Sequence, residues 1–195
     1  MKKRVAVLLI FLLLVSGLVF YMNKKGDFNP SHKIGDAIDS LNHVKVFYNG
    51  GVSNVQSRNV IDGYNLGLKY QCVEFVKRYY FEFYKHRMPD TYGHAKSFFD
   101  KNVEDGKVNK LRGLLQFDNP SLAKPQVGDI LVFDATTFNS YGHVAIVSSV
   151  SEDEIEIIQQ NAGPFSSTRE KYQLTQELHH YKIENKRILG WLRMN

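Results

Sequence analysis

The sequence predicts an α+β domain behind an apolar N-terminal segment, and three features carry that prediction. Residues 5 to 22 (VAVLLIFLLLVSGLVFYM) are the only long uncharged apolar run in the chain. One amphipathic helical pattern begins at about Cys72, and after residue 128 the pattern changes to short β-type segments divided by turn residues. Helix periodicity followed by strand periodicity, without alternation of the two, points to α+β.

The apolar run is preceded by Lys2, Lys3 and Arg4 and followed by Lys24 and Lys25. It has no polar face, and the nearest thing to a small-x-small cleavage site, Val15-Ser16-Gly17, falls inside it. Its length suits a membrane span. Residues 1–26 are therefore expected to be an uncleaved anchor, 27–39 a tether and 40–195 the domain; a cleaved signal is the alternative and would give a secreted protein. The leading charges, with the terminal amine, slightly outnumber Lys24 and Lys25, which places the domain outside the cytoplasm. Those five basic residues account for the whole formal charge of +5, so the rest of the chain is neutral. The basic balance thus reports targeting and gives no support for nucleic-acid binding. The whole chain is 43% hydrophobic and 13% aromatic, enough for the part after the apolar run to bury one core. A single cysteine excludes an intrachain disulfide and a multi-cysteine zinc site.

His43 to Tyr48 (HVKVFY) is expected to be a short strand closed by Asn49-Gly50-Gly51. In QCVEFVKRYYFEFY, residues 71 to 84, Val73, Val76, Tyr80 and Phe83 lie at helical spacing. Strands are expected at 129–134, 143–150, 154–160 and 188–194, with turns at 125–128 and 151–153.

A helix start at Cys72 matters chemically. Unpaired amides and the helix dipole there favour a thiolate and could also donate to an oxyanion. A lone cysteine is otherwise most often a small buried hydrophobe. His143 opens a strand after the loop TTFNSYG, residues 136 to 142, where a base could reach a cleft. Period two on the next strand puts Gln159 and Asn161 on one face, so either amide could orient the imidazole. The other six histidines show no metal-ligand spacing, and no cofactor is implied.

Taken together, YQCVEFVKR at 70–78, GDILVFD at 128–134, GHVAIV at 142–147 and QQN at 159–161 resemble the CHAP family of cysteine, histidine-dependent amidohydrolases and peptidases. Residues 61–78 and ILGW at 188–191 look most like the amidase domain of bifunctional glutathionylspermidine synthetase/amidase enzymes. The resemblance implies a papain-like fold, with an N-terminal helix carrying Cys72 packed on an antiparallel sheet carrying His143, and a cleft between them. It implies Cys72 as nucleophile, His143 as base, Gln159 or Asn161 as the orienting group, and substrate contacts from Gln71, Lys77 and Arg78. The amidase pattern has Glu-Gln-Asn where this chain has Gln159-Gln160-Asn161, and Arg at the place of Lys77. The expected substrate is a small amide of the glutathionylspermidine type or a peptide, with cell-wall peptide as the alternative. A module that binds without turnover, and a docking protein using the aromatic helix face of Tyr79, Tyr80, Phe81, Phe83 and Tyr84, are the competing readings.

Overall fold

The computed structural model describes residues 2–25 and 29–195. Residues 1 and 26 of the expected anchor and residues 27 and 28 of the expected tether lie outside them. Helix α1 (Lys2–Lys25) is apolar all round between its basic ends, as its sequence requires. From Lys3 to Tyr21 it is long and apolar enough to cross a membrane, and none of that stretch is buried; a signal sequence passes the same test.

Strands β1 (Ala37–Leu41) and β2 (Val44–Phe47) form an antiparallel hairpin. The ordered fold thus starts inside the segment expected to be a tether. Asp39 explains this: its carboxylate accepts from Arg169 Nε at 3.0 Å and Thr168 Oγ1 at 2.7 Å, pinning the hairpin to a distant part of the chain. Strands β3 (Arg58–Ile61) and β4 (Tyr64–Leu68) form a second hairpin around Asp62-Gly63, both at positive φ. Helix α2 (Cys72–Glu82) follows directly. Gly67, at φ +127°, lets β4 lie against its first turn, because a Cβ there would stand 3.3 Å from the backbone of Glu74.

The remaining strands are β5 (Lys107–Asn109), β6 (Leu114–Asp118), β7 (Ile130–Phe133), β8 (His143–Val150), β9 (Glu154–Ile158), β10 (Arg169–Glu177), β11 (His180–Ile183) and β12 (Ile188–Arg193). They make one sheet in the order β11-β10-β9-β8-β7-β12-β6-β5, antiparallel throughout. Alternate residues serve two cores. Ile130, Val132, Val144 and Ile146 face Phe75, Val76, Tyr79 and Tyr80 of α2. Leu131, Phe133, Ala145 and Val147 point the other way, into a cluster with Ile155, Ile157, Leu174 and Trp191. Burial on both faces is why β7 and β8 read as continuous apolar runs. The structure is a mixed helix and antiparallel-sheet fold, as the α+β prediction requires.

Candidate active site

Cys72 is the first residue of α2, after an extended Gln71 at φ −81° and ψ 161°. Its own amide and those that follow are among the donors a helix start leaves unpaired. His143 is the first residue of β8, paired in register with Phe133. Gly142 sets that entry at φ +76°, where a Cβ would stand 2.6 Å from the Phe133 carbonyl and 2.9 Å from Lys96 Cβ. Only glycine lets the loop close that tightly. Because α2 packs on this end of the sheet, Cys72 lies against the core cluster that includes Val144. The Val144 amide, next to His143, favours the thiolate form of Cys72.

The hydrogen bonds around Gln159 fix the histidine tautomer. His143 Nε2 is 2.9 Å from Gln159 Oε1. Gln159 Nε2 donates to the Ser167 carbonyl at 3.1 Å, and a carbonyl can only accept, so the amide has one orientation. Nε2 of His143 therefore carries the proton, which leaves the Nδ1 lone pair free to accept one. Asn161, expected as an equal candidate, points elsewhere: its Nδ2 donates to Gln71 Oε1 at 2.7 Å and Val52 O at 2.9 Å, and its Oδ1 accepts from Asn49 at 2.9 Å. At φ 61° it has left the strand, so period two no longer applies.

Burial dominates the protonation of both groups. It raises the Cys72 thiol, against the opposing pull of the Val144, Val73 and Cys72 amides. This corrects the expectation of a lowered thiol: the helix-start amides act in the expected direction, but desolvation outweighs them. Burial also lowers His143 to about 4, with the Gln159 bond and nearby Arg187 as smaller influences of opposite sign. Both shifts favour the neutral forms, thiol and imidazole.

Two expected results follow. His143 is depressed from 6.5 in the unfolded chain to about 4 in the fold, so its contribution to stability is complete above 6.5. It is lost as pH falls across that window, because the unfolded state takes up the proton first. The loss is at most about 3 kcal/mol, the partly exposed ring being screened. Urea unfolding of wild type and His143→Gln at pH 7 and pH 4.5 should show the steeper decline in wild type; equal declines would contradict it. The second concerns Gln159→Glu. A carboxylate accepting from Nε2 favours the imidazolium by about one to three pH units. The His143 titration, followed by NMR, should move up by at least about one unit, and an unmoved titration would mean that Gln159 does not hold the imidazole.

The expected substrate-binding side chains are placed differently. Gln71 is occupied by the protein itself, its Nε2 donating to Asn54 O at 2.6 Å and its Oε1 accepting from Asn161. Lys77 is 1% exposed, bonds the carbonyls of Asn65 and Thr91, and sits over the Tyr64 ring. Desolvation lowers it to about 8. Five residues on from Cys72 it lies about 140° round the helix, with its ammonium bonded inside the protein and turned away from the position expected to face substrate. Arg78 is likewise buried, donating to Glu74 Oε1 at 2.7 Å and stacked over Phe47. It borders a cavity of about 400 Å3 with His43, Lys45, Lys69 and Glu82, which neither Cys72 nor His143 lines.

Sequence reasoning missed Glu74, Gln160 and Asn49. Glu74 accepts from Arg78, from Asn59 Nδ2 at 2.8 Å and from Gln160 Nε2 at 2.9 Å. Gln160 also donates to Gln71 O at 3.0 Å and accepts from the Phe47 amide at 2.8 Å. This clamp joins the start of α2 to the residue after Gln159. Asn49 accepts from the Tyr70 amide at 3.1 Å and ties the Asn161 loop to Gly51 and Asn54. The polar letters of QQN were the available signal for Gln160; nothing local marked its partners.

Comparison with known proteins places this stretch of the chain in a family. The CHAP domain model matches residues 62–161, just over half of the chain and the stretch that holds Cys72, His143 and Gln159. Trypanothione synthetase of Crithidia fasciculata is 31% identical over 104 residues, 53% of this chain and 16% of its own length. The bifunctional glutathionylspermidine synthetase/amidase of Escherichia coli (strain K12) is 34% identical over 106 residues, 53% of this chain and 17% of that protein. The chain thus spans about a sixth of the curated relatives it matches. The crystal structure of Ly7917 is similar over 63% of this chain and 53% of that one, at a TM-score of 0.38 and 22% identity.

Proposed function

The chain belongs to the CHAP domain family, and from that premise we propose that it hydrolyses an amide bond with Cys72 as nucleophile, His143 as base and Gln159 as the residue that positions it. The observation that carries this reading is the tautomer: Nε2–H is held by Gln159, which leaves Nδ1 of His143 to accept a proton, and Cys72 packs against the core cluster that contains the next residue, Val144. From a neutral pair, Nδ1 takes the thiol proton as sulfur attacks the carbonyl carbon and the S–C bond forms. The amides at the start of α2 donate to the oxyanion. Collapse breaks the C–N bond, and the imidazolium gives its proton to the leaving amine. Water, deprotonated by the same Nδ1, then releases the acid and the free thiol. The helix-on-sheet arrangement fits a papain-like scheme.

Two substrate classes compete. The E. coli relative is named for a glutathionylspermidine amidase, which favours a small amide of that type. The apolar α1 favours cell-wall peptide, if α1 is an uncleaved anchor with the domain outside the cytoplasm. Lys77, buried and bonded to backbone carbonyls, adds no ground for preferring the first. Release of free amine from glutathionylspermidine and from peptidoglycan fragments, each measured with the full-length protein in detergent, decides between them. Turnover of one class identifies the substrate. Binding of either by wild type and Cys72→Ala alike, with turnover by neither, would replace the hydrolase reading by a binding module.

A further inference from the structure

Two loops border the candidate site. Residues 136–142 lead into His143, and residues 161–168 supply the Ser167 carbonyl that holds Gln159. Neither contains a charged residue. Both expose large rings: Phe138 is 77% exposed, Tyr141 59% and Phe165 66%. The first loop is internally braced, with Asn139 Nδ2 donating to Gly142 O at 2.8 Å and the Asn139 amide to Thr136 Oγ1 at 3.0 Å. Its rings are therefore presented by a built structure. Uncharged loops carrying exposed aromatics are costly in water and are favoured at a membrane interface, where amphipathic rings concentrate.

The apolar helix meets the first of these loops, and the chain beyond it meets the second. Phe20, next to the last residue of the span Lys3–Tyr21, packs edge-on against Phe138 with ring centroids 6.1 Å apart. Where the chain enters the domain, Asn29 Nδ2 donates to Pro164 O at 2.9 Å, in the second loop. A span that ends at Tyr21 puts the bilayer interface at that level, so Phe138 stands at the depth of the interface and Phe165 beside the point of entry.

We propose that loops 136–142 and 161–168 form a lipid-docking face, seated in the interfacial layer of the membrane that holds α1, so that the Cys72–His143 site meets amides presented at that surface. The occupant is lipid because the residue already touching the face is the end of the apolar span itself. The proposal rests on α1 being an uncleaved anchor, and its test separates the two.

The full chain is reconstituted into vesicles of phosphatidylcholine and phosphatidylglycerol, with and without lipid brominated on the upper acyl chain. Trp191 is the chain's one tryptophan and is wholly buried, so it gives a constant background. Phe138→Trp and Phe165→Trp report from the two loops. Leu178→Trp is the control, since Leu178 is 91% exposed at the far end of β10, about 30 Å from the second loop. The expected result is that the added fluorescence at 138 and 165 is largely lost to bromolipid and that at 178 is retained. Protein that an alkaline wash strips from the vesicles would overturn the anchor and the docking face with it. Protein that stays bound, with 138 and 165 quenched no more than 178, would overturn the docking face and leave the anchor standing.

Discussion

Replacing Cys72 by alanine is expected to lower kcat/KM for amide hydrolysis by about 10^4-fold or more, the loss seen when a member of a nucleophile–base unit is removed. The proposed mechanism has no substitute for the sulfur. Cys72 is the chain's one cysteine, and the remaining amides at the start of α2 can stabilise an oxyanion but cannot form the acyl bond. His143→Ala should fall by a similar factor, because a thiol raised by burial needs a base at the moment of attack. The double variant should be no worse than the poorer single one, since residues that act as a unit are not additive. Steady-state kinetics with matched urea unfolding curves separate this from simple unfolding. Turnover by Cys72→Ala within about tenfold of wild type would reject covalent catalysis, and additive losses would reject a shared step.

Legibility in the sequence followed the range of the physics. α2 and β8 start at the residues expected, Cys72 and His143, because helical periodicity and an apolar run after glycine are local signals. The hairpins were harder. β3–β4 turns on Asp62-Gly63, a recognisable pair at positive φ, whereas β1–β2 and β10–β11 turn on Asn42-His43 and Leu178-His179, neither of which has a glycine. Substrate contacts from Lys77 and Arg78 are an expectation of the family resemblance, and helical spacing alone does not say which face of α2 stays open. Here the two hairpins cover the flanks, and Glu74 through Tyr80 are all buried. The thiol was misjudged for the same reason: the helix-start effect is local, and the desolvation that exceeds it is tertiary. Gln159 and Asn161 could not be ranked from parity alone, since the strand ends at Ile158 and the backbone turns before Asn161.

Glu74→Ala is expected to cost about 3–5 kcal/mol of stability, although Glu74 takes no part in the chemistry. Its carboxylate is 1% exposed and accepts from Arg78 Nε at 2.7 Å, Asn59 at 2.8 Å and Gln160 at 2.9 Å. Without it the Arg78 guanidinium, 5% exposed, keeps only a 3.4 Å contact to Gln160 Oε1 and its place over two aromatic rings. An unpaired buried cation is the source of the cost, so the effect depends on which partner remains. Arg78→Met in the Glu74→Ala background should therefore recover part of the loss, giving a coupling of at least about 1 kcal/mol in a double-mutant cycle measured by urea unfolding. Additive single losses, each under about 1 kcal/mol, would show that the pair is worth no more than a surface one. Activity reads the same clamp independently. Gln160 links Glu74 to the residue beside Gln159, so releasing it lets the imidazole drift relative to α2. In conditions where Glu74→Ala remains folded, kcat should fall while the pKa of the acid limb stays in place, because the Gln159–His143 bond itself is intact. A shifted limb would mean that Glu74 acts on the imidazole electrostatically, through its charge, and not by holding Cys72 and His143 in register.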